Sequence, residues 1–176
     1  MKTTGVIRRI DDLGRVVIPK EVRKNLKIKN GENVEIFIDN EDIVLKKYSP
    51  LENLDSVTEN YVEAMYHTIR RNIIITDRDK VIATGSNIKN KYKGNDISPF
   101  VERLIERRDN LVEYKKVKVN FINGVEEFCS YSCSPIIGDG DCIGYVIIFS
   151  NDSPLLEIEE KMTIMLSKLL GKYFME

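Results

Sequence analysis

A turn between two short runs of β-branched residues constrains the first fifty residues more than any other feature. The runs span 5–10 and 14–18, and the turn is Asp11-Asp12-Leu13-Gly14. This pattern predicts two short strands. Pro19 follows at once and suits the first position of a helix, where its missing N–H leaves no hydrogen bond unmade. We therefore predict a helix from Pro19 to about Lys27.

The predicted helix has a cationic face. At 100° per residue, four basic residues share one side of the helix, and the apolar Val22 and Leu26 lie opposite; the four are Lys20, Arg23, Lys24 and Lys27. Residues 1–29 contain nine Lys or Arg and three acidic residues, a net charge of +6, whereas the whole chain carries -1. Such clustering is typical of nucleic-acid binding, although solvated faces of other proteins also carry it.

The first segment is too short to bury a core of its own. Strands are predicted at 33–38 and 43–47 around the turn 39–42, and Gly31 is placed to end the helical part. Four strands and one helix in about 48 residues need a disulfide, a metal or a partner chain. The segment offers no cystine and no metal-binding cluster, so we predict an obligate dimer.

The remaining residues predict a mixed helical and stranded domain. After Pro50, apolar residues recur at spacings of three and four and predict a helix over 51–70; they are Leu51, Leu54, Val57, Tyr61, Met65 and Ile69. Helices are also predicted at 99–108, capped by Ser98, and at 154–175. The predicted strands are 72–76, 81–84, 111–119, 126–136 and 142–150. Antiparallel strands with segregated helices indicate an α+β sensor domain.

Several functional classes are disfavoured by composition. The single histidine, His67, has no nucleophile motif around it, and the three cysteines lack metal-ligand spacing, so we expect neither an enzyme nor a metal site, and no cofactor. Cys129, Cys133 and Cys142 are expected as reduced thiols. No apolar run reaches the roughly 18 residues of a membrane span. We expect a cytoplasmic protein without membrane contact.

A longer motif carries a family resemblance. Residues 4–23, with the core Asp-Leu-Gly-Arg-Val-Val-Ile-Pro at 12–19, and residues 43–48 closely resemble the amino-terminal domain of AbrB-type transition-state regulators. The resemblance implies a swapped-hairpin β-barrel formed by two interleaved chains that binds DNA. It implies a GAF-like domain behind it, a homotetramer assembled through helices, and an activator or repressor of sporulation genes, nucleoid-associated in the forespore. The expected division is 1–50 for DNA binding, 51–70 as a connector helix and 71–176 as the regulatory domain.

The resemblance also assigns DNA-binding residues. The motif's arginines fall on Arg8, Arg15 and Arg23, and a fourth basic position falls on Lys24, where close relatives have arginine. Lysine lacks the bidentate fork, so Lys24 is assigned to phosphate. Positive charge adds Arg9 and Lys20 to the predicted DNA-binding residues. For Arg9, the alternative to DNA contact is a solvated position on the protein surface. We expect double-stranded DNA, read by shape and deformability at A·T-rich sites.

Two questions stay open at the level of sequence. An antitoxin is the alternative function, because swapped-hairpin domains also serve that role, but about 125 ordered residues follow here in place of a short disordered tail. A GAF-like domain also suggests a small-molecule effector. The cyclic-nucleotide pattern Asn-Lys-x-Asp with its distant partners is missing from the sequence. The Gly138-Asp139-Gly140-Asp141 segment predicts a hairpin turn instead of a calcium or phosphate loop.

Overall fold

The computed structural model describes residues 5–51 and 55–174, and the chain forms two compact units, 1–48 and 49–176. Both helices and strands are present, in agreement with the predicted α+β class. The helix predicted as a connector belongs to the second unit. As domain assignments, 1–50, 51–70 and 71–176 stay predictions.

The first unit contains a short helix and a hairpin. Helix α1 spans Lys20–Asn25, and strands β1 (Val34–Asp39) and β2 (Asp42–Lys47) pair antiparallel from Val34 opposite Lys47 to Asp39 opposite Asp42. Asn40, with φ +54°, makes the two-residue turn between the strands, and asparagine tolerates this left-handed conformation. The predicted hairpin is therefore confirmed.

The two strands predicted at 5–10 and 14–18 are wrong for the single chain. Neither segment has regular secondary structure, and neither pairs with a strand within residues 5–51. A strand needs a neighbour for its N–H and C=O groups, and none of the described strands lies beside these segments.

The helix in the first unit is shorter than predicted. It begins after Pro19, which occupies the N-cap position and not the first helical position. It ends before Lys27, whose φ of +54° is left-handed. Lys27 therefore does not share the cationic face of α1.

Apolar side chains of the first unit are exposed. Among residues 5–48 none is buried, and Ile7 and Ile38 are 90% and 83% exposed. Val22 is half-buried and Leu26 is 48% exposed, so the face predicted as core is uncovered in the single chain. Exposed contiguous apolar surface on this scale marks an interaction surface.

The second unit is built on one five-stranded sheet. Its strands are β3 (Asn72–Thr76), β4 (Val81–Thr84), β5 (Leu111–Val119), β6 (Glu127–Gly138) and β7 (Asp141–Ser150), in the order β4-β3-β7-β6-β5. Every neighbouring pair is antiparallel. The five predicted strands are confirmed, with shifts of one or two residues at their ends.

Helices lie on both faces of this sheet. They are α2 (Asp55–Ile69), α3 (Lys89–Tyr92), α4 (Pro99–Arg107) and α5 (Glu157–Lys172), and a 3-10 turn, Ser86–Ile88, precedes α3. Val62 of α2 and Leu166 and Leu170 of α5 pack against one face of the sheet. Val101 and Leu104 of α4 pack against the other. The segment 86–92 was not predicted, because its polar residues show no helical period.

Helix α5 starts later than predicted. It begins at Glu157 and not at Pro154, because the Glu159 side chain accepts the Leu156 N–H (2.6 Å) as an N-terminal cap. Its apolar residues lie in two environments, since Leu166 is buried while Ile158 and Met165 are 59% and 55% exposed. The predicted positions Leu54 and Met175 lie outside the described residues.

Other expectations concern chemistry and membranes. Cys129, Cys133 and Cys142 are free thiols and buried, and burial raises the pKa of each. Among the described residues, no group of three or more metal-ligating side chains is clustered. None of the described helices combines the length and apolarity needed to cross a bilayer.

A glycine sets how closely α5 approaches the sheet. A Cβ atom at Gly171 would lie 2.3 Å from the carbonyl oxygen of Ile137 on β6. That oxygen belongs to the backbone of a paired strand and cannot move aside without disturbing the sheet. A side chain at position 171 would therefore displace α5.

We predict that Gly171→Ala destabilises the second unit. Alanine improves helix propensity by about 1 kcal/mol, but overpacking against the Ile137 carbonyl costs about 1–3 kcal/mol, so the melting temperature of the full chain should fall. Lys168→Ala, at an exposed position on the same helix, should change stability by no more than about 0.5 kcal/mol. A higher melting temperature for Gly171→Ala would contradict the close approach.

Candidate nucleic-acid interface

The turn at 11–15 is organised by one carboxylate. Asp11 Oδ1 accepts the backbone N–H groups of Leu13 (3.0 Å) and Arg15 (2.9 Å), and the Asp11 carbonyl accepts the Gly14 N–H (2.9 Å). Gly14 has a φ of +75°, which glycine adopts without strain. The backbone N–H of Asp11 also bonds to the Arg15 carbonyl (3.1 Å). Asp11 thus holds both sides of the turn together.

The same carboxylate holds the side chain of Arg15. Arg15 Nε donates to Asp11 Oδ2 at 2.8 Å, and the Arg15 side chain remains 72% exposed. Its terminal Nη1 and Nη2 groups bond to nothing within residues 5–51. The backbone and side-chain hydrogen bonds from Arg15, with a further one from the Leu13 backbone, lower the pKa of Asp11 below its ordinary value. The guanidinium is therefore oriented by Nε while its outer edge is left open.

Arg23 is placed differently, at the end of α1. Its Nη1 donates to Asn30 Oδ1 (2.8 Å), and its side chain is half-buried. Its Nε is buried and has no hydrogen-bond partner among the described residues. A buried, unpaired donor is costly.

The other predicted cations are exposed. Lys20 and Lys24 are one turn apart on α1, and Arg8 and Arg9 lie on the segment before the turn. None of these four side chains makes a hydrogen bond or ion pair with residues 5–51 in the structure. The structure thus groups Lys20, Arg23 and Lys24 on α1 and holds Arg15 at the turn.

Two supporting residues were missed by the sequence reasoning. Asp11 fixes Arg15 and Asn30 fixes Arg23, although neither carries positive charge. An Asp at the first position of a turn that ends in Gly is a known signature for side-chain capping of the turn, so Asp11 could have been found. No comparable local signal marks Asn30.

Comparisons with known proteins cover both units. A family model described as "Stage V sporulation protein T C-terminal, transcription factor" matches residues 53–176, and one described as "Antidote-toxin recognition MazE, bacterial antitoxin" matches residues 7–53. The chain is 43% identical over 163 residues to stage V sporulation protein T of Bacillus subtilis (strain 168), with 92% of each chain covered. The predicted family resemblance is confirmed.

The units also have separate relatives. Over 50 residues the chain is 54% identical to transition state regulatory protein AbrB of Bacillus subtilis (strain 168), which covers 28% of this chain and 52% of that protein. The GAF domain from Acinetobacter phosphoenolpyruvate-protein phosphotransferase matches with a TM-score of 0.56 at 12% identity, over 69% of this chain and 81% of that one. The predicted GAF-like fold of the second unit is confirmed.

We predict that the turn at 11–15 loosens in acid. The pKa of Asp11 is lower in the folded chain than in the unfolded one, so its contribution is present above the ordinary aspartate pKa of about 3.9 and is lost as the pH falls through the lower, folded value. NMR titration should show the amide signals of Leu13 and Arg15 shifting together with the Asp11 carboxyl. In Asp11→Asn, which cannot ionise, this shift should vanish. Amide signals that stay constant in the unchanged chain would contradict the assignment.

Proposed function

Because the chain belongs to the stage V sporulation protein T family of transcription factors, we propose that it binds double-stranded DNA as a dimer through its first unit and controls sporulation genes. The family is one of transcription factors and not of enzymes, and the chain is a DNA-binding transcription regulator. We propose further that it acts at the nucleoid of the forespore, and raises or lowers transcription according to the promoter.

The observation that carries the DNA-binding proposal is the side chain of Arg15. Nε is held by Asp11, and the outer Nη1 and Nη2 edge is exposed. A guanidinium fixed in this way can donate two parallel hydrogen bonds to a phosphate or to the O6 and N7 of guanine. Less side-chain entropy is lost on binding, since Asp11 has already ordered the arginine. Asp11 is thus a positioning residue for Arg15.

The remaining cations extend this surface. Arg8, Arg9, Lys20 and Lys24 are exposed. Half or more of the hydrogen bonds in protein–DNA complexes go to the sugar-phosphate backbone of the DNA, and these exposed cations suit phosphate contacts. Because α1 has only six residues, we propose readout of shape and deformability at A·T-rich sites, without a recognition helix.

The dimer is supported by the exposed apolar residues of the first unit. Ile38 on β1 and Ile43 on β2 face each other across the hairpin and are 83% and 70% exposed. Segments 5–10 and 14–18 have no partner strands in residues 5–51. A second copy of the chain would supply both the missing strands and the cover for these side chains. We propose the interleaved, swapped-hairpin dimer as that arrangement.

The tetramer is a separate proposal and concerns α5. Four apolar side chains recur along its outer side at spacings of seven, four and four and are 37–59% exposed: Ile158, Met165, Leu169 and Tyr173. This spacing suits packing against a second helix. We propose that α5 joins two dimers into a homotetramer. The second unit, to which α5 belongs, has a GAF-like fold, and we propose that this unit senses a small-molecule effector.

An antitoxin remains the second candidate function, because the family model described as a MazE antitoxin matches residues 7–53. That match covers the first unit alone, and the second unit has a core on both faces of its sheet. A folded domain of this kind favours an autonomous regulator over a toxin-binding tail. Copurification of a toxin with the full chain would reverse this preference.

We predict that DNA affinity falls steeply with salt. Two copies of Arg8, Arg15, Arg23 and Lys24 provide about eight phosphate contacts, so affinity for an A·T-rich duplex should drop by about 10³ to 10⁵ between about 50 and 200 mM salt. Arg15→Ala removes one contact per protomer, and the slope of log K against log salt should fall by about 2. Fluorescence anisotropy at several salt concentrations measures both effects.

Two variants serve as controls for this experiment. Arg15→Lys keeps the charge but loses the fork held by Asp11, so it should retain the slope and weaken binding at every salt concentration. Arg107→Ala removes an exposed cation from the second unit and should leave the slope unchanged. If Arg15→Ala binds like the unchanged chain, Arg15 is not at the interface.

We predict that Ile38→Asp separates the protomers of the first unit. In the single chain Ile38 is exposed, so the substitution meets no steric conflict within the hairpin; in the proposed dimer, it buries an unpaired carboxylate. Light scattering on the full chain should report half the mass of the unchanged protein, and DNA affinity should be lost with it. Glu41→Ala, in the exposed turn beside it, should keep the mass. An unchanged mass for Ile38→Asp would rule out this dimer surface.

A further inference from the structure

The space between α4 and the sheet of the second unit is filled by aromatic rings. Ring centroids of neighbouring residues lie 5.1–6.4 Å apart in tilted or edge-on pairs, and the residues are Tyr92, Phe100, Phe121, Tyr131 and Phe149. These separations are typical of well-packed aromatic clusters. A ligand in this part of the unit therefore has to occupy the periphery of the cluster.

A cavity of about 390 Å³ lies at that periphery. It is bounded by the first turn of α4, the end of β5 and the loop that follows, with Phe100 and Tyr131 at its apolar side. Arg103, Lys118, Asn120 and Asn123 supply its polar side. This volume is within the range of small-molecule sites, which combine an apolar wall with a few polar groups.

Tyr131 carries a hydroxyl group for which the structure shows no partner. The residue is only 6% exposed, lines the cavity, and makes no hydrogen bond through its hydroxyl with residues 5–51 or 55–174. Burial, with smaller contributions from Cys133 and Glu113, raises the pKa of Tyr131 to about 12. The hydroxyl is therefore a neutral donor at physiological pH, and it is available to an acceptor in the cavity.

The charge of the cavity is positive. The Arg103 side chain is exposed and pairs with none of the described residues, whereas Lys118 shares its charge with Glu126 at 2.9 Å, an exposed pair that contributes little. The side chains of Asn120 and Asn123 make no hydrogen bonds within the described residues either. The guanidinium fork of Arg103 matches a carboxylate or a phosphate.

We propose that this cavity binds a small organic anion that joins one carboxylate or phosphate group to a compact planar apolar group. Arg103 and Lys118 take the anionic group, the Tyr131 hydroxyl donates to the same group or to its ester oxygen, and the Phe100 and Tyr131 rings contact the apolar group. This inference deepens the sensing role proposed above by naming the site and the ligand class.

Isothermal titration of the full chain with phenyl phosphate tests the proposal, with inorganic phosphate and phenol as partial probes. Phenyl phosphate should bind at least tenfold more tightly than either partial probe, because only it uses both sides of the cavity. Arg103→Ala should weaken phenyl phosphate binding by about tenfold or more, and Tyr131→Phe, which keeps the ring and removes only the hydroxyl, by about threefold to tenfold.

Arg107→Ala is the matched control, since it removes an exposed cation from the same helix outside the cavity; it should leave binding within twofold of the unchanged chain. Binding undetectable up to about 10 mM, equal binding of phosphate and phenyl phosphate, or equal losses in Arg103→Ala and Arg107→Ala would each overturn the proposal. The titrations contain no DNA, so their outcome is independent of the DNA-binding proposal.

Discussion

The first unit has too few residues to enclose its own apolar side chains, and its organisation depends on this limit. Within residues 5–48 no side chain is buried, and the segments on either side of the Asp11 turn have no partner strands in the described chain. Burying apolar surface contributes about 25 cal/mol for each Å² removed from water, so association of two copies is the step that stabilises this unit. DNA binding through it is thereby tied to assembly, and each dimer presents its cations in pairs related by a two-fold axis.

Asp11 shows why a DNA-binding surface can contain a carboxylate. A negative charge near phosphate reduces the long-range attraction of the unit, yet Asp11 uses its oxygens on two backbone N–H groups and on Arg15 Nε. The carboxylate therefore orders the turn and the arginine together, and the Nη groups of Arg15 keep their hydrogen-bonding capacity. Lys20 and Lys24 have no such support and act as point charges. Orientation at Arg15 and charge density along α1 are complementary features of the proposed interface.

Sequence reasoning predicted the second unit better than the first for a physical reason. The strands of the second unit pair within one chain, so apolar runs bounded by turns such as 77–80 and 138–141 were sufficient to place them. The same signals at 5–10 and 14–18 predict strands whose neighbours a single chain lacks. Charge and motif assigned the cations of the proposed interface, but they did not indicate Asn30, because its bond to Arg23 depends on how the chain leaves α1. The cavity was not predicted, since Arg103, Lys118 and Tyr131 lie on three different elements.

The proposed effector site constrains how the second unit can regulate transcription. A ligand shifts an equilibrium only by the difference in its affinity for the two states. An anion in the cavity can therefore regulate transcription only if the active and inactive forms bind it with different affinity. The sheet is packed on both faces, and Gly171 fixes α5 against the Ile137 carbonyl, which leaves little freedom for movement inside the core. Helix α4 carries Arg103 and contacts the aromatic cluster through Phe100, while the apolar outer side of α5 is proposed to join dimers. Assembly is therefore the equilibrium that an effector is best placed to change. When two DNA-binding dimers are joined and one of them binds DNA, the effective concentration of the other dimer at a neighbouring DNA site rises without any new contact to DNA.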